Sequence, residues 1–386
     1  MVGPTRGIAK KFLEDYPNIT IDIEETPGND HQTKIKLDAS SDRLPDIFNY
    51  WRMDPVFGLD QIVDAGKIAD LTEWTKTDPF FKELDDEAAW RTASRKGKVY
   101  GLPLTMFFVQ FLANKDVLER GGVPQAPNTW DELVAAMKTL KAKGELPWGA
   151  SIKGDSHGGR IYNQIYNRTV GNDRAMKIHA GEEPYAIPES IKAAGLLRDL
   201  TAGFLPEDAI AIDNPAAMAK YVNTGKAGFV LCGSFDTATI KPEIQDKMLI
   251  LEFPLVPGGF QTEKNVEKDL TGLWYLNAKS FSDADKGPVV KELAKRFSSR
   301  EAGKIYAEQA QQPIPMLGVN IDETKVGRVA TTGLKLALQR PQNRWIPSMM
   351  KPDARAKFDP LVGEYLNGKY TPEEFVQNVN KALSGA

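Results

Sequence analysis

Four tryptophans stand where a chain can offer a flat ring to a ligand. Trp51 follows the run Asp46–Tyr50, which reads as a strand, and opens the segment Trp51-Arg52-Met53-Asp54. Trp148 lies in Pro147–Ile152, a second short strand, ahead of the polar, glycine-rich loop Lys153–Arg160 that holds Asp155 and Arg160. Trp274 lies in the apolar run Leu270–Leu276, and Trp345 in the loop Arg344-Trp345-Ile346-Pro347. An aromatic face stacks on apolar C–H surface, while carboxylates, amides and guanidinium groups pair with hydroxyls. A pyranose ring carries both kinds of surface. A buried hydroxyl partner left unpaired costs on the order of 1–3 kcal/mol, so such a site needs polar groups beside its rings. Asp54, Asp155 and Arg160 are the candidates for that pairing. Each of these residues also has a purely structural reading. Any one tryptophan can be core packing, Trp51 can be a buried anchor beside solvated charges, and Asp155 can cap a helix. Trp74, Trp90 and Trp130 sit near helices and read as packing residues.

Catalytic equipment is harder to find. The chain has no G-x-S-x-G, H-E-x-x-H, C-x-x-C, phosphate-binding lysine loop or G-x-G-x-x-G. His31, His157 and His179 are far apart and show no metal-ligand spacing, so no metal and no cofactor is implied. The single cysteine, Cys232, lies in the apolar run Ala227–Cys232 and reads as a small core residue. A glycosidase needs two carboxylates flanking one bond, and chain spacing alone leaves that alternative open. With 26% charged residues and a net charge of -3, the chain has no basic cluster of the kind nucleic acid requires. No stretch of eighteen apolar residues occurs, so no membrane-spanning helix is expected.

Helices and strands alternate along the 386 residues, enough chain for two domains. Ile8, Phe12 and Tyr16 make one helical face, which Pro17 ends. Ile19, Ile21 and Ile23 have the period of a half-buried strand. Thr129 and Glu132, Ser298 and Glu301, and Thr371 and Glu374 have the spacing of capping boxes. Asn214 ahead of Pro215 reads as another helix start. Gln261–Lys268 reads as polar surface loop. The alternation implies βαβ units and a largely parallel sheet.

Several segments, in order, resemble a known family. They are FLEDYPNITIDIEETPG (12–28), LPDIFNYW (44–51), YGLP with NKDVLERGGV and TWDEL (100–133), GKAGFVLCGSFD (225–236), FPLVPGG (253–259) and KYTPEEFVQNVNKAL (369–383). Together they resemble the extracellular solute-binding proteins of carbohydrate ABC importers, the maltose- and oligosaccharide-binding type. The resemblance implies an α/β fold of two lobes (type II periplasmic-binding-protein-like), each a mainly parallel sheet flanked by helices, joined by a three-segment hinge. It places residues 1–112 and 261–313 in one lobe and 113–260 and 314–386 in the other, with the ligand cleft between them. It implies a monomer outside the cytoplasm that captures a sugar, an oligosaccharide rather than a monosaccharide, by hinge closure and delivers it to the membrane subunits of the importer. Phe235 stands where the family often has a stacking tryptophan, with Asp236 beside it, and the run holding Trp274 returns to the first lobe near the cleft. The chain as written opens in what resembles the family's first helix, without its first strand or an export signal. A carbohydrate hydrolase or lyase, or a binding protein for a non-sugar solute, is the competing reading.

Overall fold

The computed structural model describes residues 2–26, 28–83, 90, 92–154, 156–310, 319 and 321–384. The chain divides into two compact units, Met1–Phe107 with Asp269–Val326, and Phe108–Lys268 with Gly327–Ala386. It therefore passes from one unit to the other three times, at 107/108, 268/269 and 326/327. The sequence reading sets these passages at 112/113, 260/261 and 313/314; the last of these positions lies outside the described residues.

In the first unit the helix Val2–Asp15 buries Ile8 and Phe12 in a core with Leu71, Leu102, Leu276, Phe297 and Tyr306. Ile19, Ile21 and Ile23 pack half-buried against the same core, but their segment is in no ladder among the described residues. Alternation fixes which side chains face inward; a strand also needs a neighbour to pair with. The strand Ile47–Tyr50 pairs antiparallel with Val266–Leu276, Ile47 opposite Leu276 and Tyr50 opposite Leu273.

In the second unit the strand Gly101–Asn114 pairs antiparallel with Ala227–Gly233, Val109 opposite Gly233, and with Met248–Leu251, Phe111 opposite Leu251. Leu146–Trp148 adds parallel to Ala227–Gly233. Where the alternation of elements implies a mainly parallel sheet, the ladders are thus mixed. In both units the antiparallel partner is the strand on which the chain arrives from the other unit, a feature that helix–strand alternation does not encode. Gln261–Lys268 is not all surface loop, because Val266–Lys268 opens the strand and Glu267 is fully buried.

The Thr129/Glu132 capping box forms, with the Glu132 carboxylate accepting from Thr129 N at 3.0 Å and Thr129 Oγ1 accepting from Glu132 N at 3.3 Å. Thr371 and Glu374 make the same exchange at 2.8 and 3.2 Å. Two expected caps move by one residue. Ser299, not Ser298, accepts from Ala302 N, and Asp213, not Asn214, accepts from Ala216 N. Asn214 Oδ1 instead accepts from Ser151 Oγ and from His157 N, and so holds the start of the helix His157–Val170.

That helix is buried almost all round, with Tyr162, Ile165 and Tyr166 completely so. Tyr166 contacts the rings of Tyr185 and His179 at 5.4 and 5.0 Å. His179 is 1% exposed, its Nδ1–H donating to Ala175 O at 2.9 Å, and burial pushes its pKa down to about 3.

Candidate functional site

In the first unit the strand Ile47–Tyr50 ends on a cluster built around Arg52. Arg52 is 2% exposed. Its Nη1 donates to Leu270 O at 2.8 Å, and its Nε pairs with Asp54 and lies 3.7 Å from Asp269 Oδ2. Asp269 also accepts from Thr92 Oγ1 at 3.1 Å and from Leu270 N at 2.9 Å. One buried cation thus faces two buried carboxylates, and its guanidinium lies over Phe57 at 5.4 Å and Phe107 at 5.6 Å. Trp51 is half-buried, roughly parallel to Phe57 at 6.0 Å and edge-on to Tyr50 at 5.2 Å, with its carbonyl accepting from Tyr275 Oη at 2.8 Å. The structure therefore brings Trp51 and Asp54 to one strand end, with the Arg52 pair fixing the Asp54 carboxylate.

Trp274 does not join them, which corrects the expectation that it stacks on a ligand. It is 7% exposed, lies against Phe297 at 4.6 Å, and belongs to the core that includes Phe12 and Leu71. Side chains alternate along a strand, so Tyr275 turns towards Trp51 while Trp274 turns into the helices.

In the second unit Trp148 is likewise corrected. It is fully buried, its indole N–H donates to Leu200 O at 2.7 Å, and its ring packs near Phe111 and Phe229. No face is left for a ligand. Asp155 lies outside the described residues.

Arg160, Phe235 and Asp236 do come together. Phe235 is 38% exposed, unusual for so large an apolar ring, and the Arg160 guanidinium lies 5.2 Å from its centre. The ring folds back over Gly233, so a Cβ there would push it aside. Asp236 Oδ2 accepts from Gly233 N at 3.0 Å and lies 3.6 Å from His157 Nε2. Arg160 Nη1 reaches Glu267 Oε1 at 3.4 Å. Glu267 is fully buried and also accepts from Asn163 Nδ2 at 2.6 Å and Gln164 Nε2 at 3.0 Å. Cys232, the last apolar residue before this turn, is buried, and burial pushes its thiol well above the ordinary range, which leaves it no thiolate character.

Trp345 is half-buried, with the Arg355 guanidinium 4.3 Å above its ring. Its loop is held by the helix that carries Arg160. Asn163 and Asn167 each donate to Arg344 O at 3.1 Å, and Ile346 N donates to Asn163 Oδ1 at 3.1 Å. One buried helix therefore positions the arginine beside Phe235 and the loop of Trp345.

Glu267, Asn163, Asp269, Thr92 and His157 were not singled out from the sequence. A signal for the helix was present: His157, Arg160, Gln164, Asn167 and Arg168 recur at helical spacing between apolar residues. A polar stripe on a helix that is otherwise apolar must find buried partners. Arg168 is fully buried, donating to Gln164 Oε1 at 2.7 Å and Asn265 O at 3.1 Å, and burial pushes its pKa down to about 9. Nothing local marks Glu267 or Asp269, since their partners come from distant segments. Among the described residues no group of three or more His, Cys, Asp or Glu is placed to hold a metal, and no helix is long and apolar enough to cross a membrane.

The fold matches a solved chitin oligosaccharide binding protein with a TM-score of 0.84 at 20% identity, covering 100% of this chain and 94% of that one. A binding protein of Brucella abortus (strain 2308) is 24% identical over 314 residues, 75% of this chain and 73% of that protein. The melibiose/raffinose/stachyose-binding protein MelE of Bacillus subtilis (strain 168) is 26% identical over 140 residues, 36% of this chain and 30% of MelE. The family model for bacterial extracellular solute-binding protein matches residues 3–304, and the chain belongs to that family.

Proposed function

We propose that this chain captures a sugar, an oligosaccharide rather than a monosaccharide, and hands it to the membrane subunits of an ABC importer. The observation that carries the reading is the Arg160–Phe235–Asp236 group: an exposed aromatic face beside a guanidinium and a carboxylate. That is the pairing of stacking surface and hydroxyl partners a pyranose needs. The names of the relatives, which include melibiose/raffinose/stachyose-binding and chitin oligosaccharide binding, support the ligand class. In this reading Phe235, Trp51 and Trp345 stack, and Arg160, Asp236 and Asp54 pair with hydroxyls. A sugar that binds a closed form better than an open one would drive closure, with the three passages of the chain as the hinge. No bond in the sugar is broken, and the protein acts outside the cytoplasm as a monomer.

The test is a titration followed by tryptophan fluorescence, using oligosaccharides of several classes, with the sugar recovered afterwards. The reading expects saturable binding to one class and an intact sugar. New reducing ends or unsaturated products would make the protein an enzyme instead.

A further inference from the structure

The second unit contains a narrow cavity lined by Gln110, Phe111, Gln164, Asn265, Glu267 and Gly333, among others. It offers about 20 Å³ of room for the centre of a water molecule. A single water needs roughly 10–15 Å³ by that measure, so the space suits one water and excludes a sugar ring.

The lining makes a polar demand that the protein does not meet. Gln110 is 3% exposed, and among the described residues neither its Oε1 nor its Nε2 has a hydrogen-bond partner. Asn265 is 9% exposed; its Nδ2 donates to Gln261, but its Oδ1 has no such partner. Gln164, also on the lining, already donates from Nε2 to Glu267 and accepts at Oε1 from Arg168. The Gln110 amide already lies against the helix Arg328–Gln339, its Oε1 in the place a Cβ would take on Gly333. A buried amide without a partner costs on the order of 1–3 kcal/mol, whereas a bridging water is nearly as good as a direct bond.

We infer that this cavity binds one internal water that joins the Gln110 amide to Asn265 Oδ1. The water donates to Asn265 Oδ1 and accepts from the amide N–H of Gln110. Its place in the chain gives it weight. Val109–Phe111 lie just after the first passage between units, Asn265–Glu267 just before the second, and Gly333 just after the third. The water thus ties together the roots of two of the three segments by which the chain enters or leaves this unit, and the third lines its cavity.

A crystal structure of the full chain, at a resolution that shows ordered solvent, tests the site directly. The expected result is a water peak at about 2.7–3.2 Å from both the Gln110 amide and Asn265 Oδ1. An empty cavity, or a Gln110 amide paired to protein, would overturn the inference. The variant Gln110→Met supplies a second readout, close in volume but without the amide. Loss of a satisfied bridge should lower the folded-to-unfolded ratio about fivefold. If the variant is as stable as the parent or more so, the amide had no partner, and the water is not there.

Discussion

Arg52 and Arg160 are the two arginines around which the candidate residues gather, and they do opposite things. Both are nearly buried, and both lie beside phenylalanine rings. Arg52 meets two carboxylates, Asp54 and Asp269, and also a backbone carbonyl, so it pins a strand end. Arg160 meets Glu267, a carboxylate it shares with two amides, and its ring partner Phe235 keeps 38% of its surface. The same residue types thus build a frame in one unit and present a face in the other. What separates the two roles is the exposure of the aromatic partner.

The largest effect should come from the fully buried carboxylate that three side chains share. Glu267→Leu strips the shared acceptor from Arg160, Asn163 and Gln164, at a cost of about 3–5 kcal/mol in urea unfolding. Asp269→Asn should cost less, about 1–3 kcal/mol, because Asp54 still faces Arg52. Equal losses would break the comparison between the units.

Two aromatic truncations sharpen it. Trp274→Ala removes core packing and should cost about 3–5 kcal/mol of stability while leaving the sugar affinity of the folded fraction unchanged. Phe235→Ala should do the reverse, leaving stability nearly intact and weakening sugar binding about two- to tenfold, the worth of one stacked ring. Calorimetric titration beside thermal melts reads both. Unchanged affinity in Phe235→Ala would remove that ring from the site.

Acid should act through the second unit. His179 has its pKa pushed down to about 3 by burial, against an ordinary value of 6.5. The unfolded chain therefore binds this proton first as pH falls. Stability is at its full value above about pH 6.5 and then declines by up to about 1.4 kcal/mol per pH unit until the folded form protonates near pH 3. His179→Phe should flatten that part of the profile. The smallest change expected is Thr129→Ala, which loses one exposed cap, about 1 kcal/mol, and leaves ligand affinity alone.

How much of this could be read from residues alone follows the range of each interaction. Capping boxes are local, and Thr129/Glu132 and Thr371/Glu374 form as their spacing predicts. Where two capping residues stand side by side, as Asp213 and Asn214 do, spacing cannot choose between them. Asn214 is drawn away by Ser151 and His157, more than fifty residues distant. Tryptophans were the least legible. Trp148 and Trp274 stand at strand ends just as Trp51 does, but which face of a strand is buried depends on what packs against it. The ordered segments shared with a family carry the fold. Glu267 was invisible because its burial is set by a helix a hundred residues earlier in the chain.

The most direct test of sugar capture is a thermal melt of the full chain against a panel of mono- and oligosaccharides. A ligand at one hundred times its dissociation constant stabilises the native state by about 2.7 kcal/mol, which for a unit of this size raises Tm by roughly 5–10 °C. Sugar capture predicts such a shift with one class of oligosaccharide and a smaller one in Phe235→Ala. A cooperatively melting protein that no sugar shifts would contradict it.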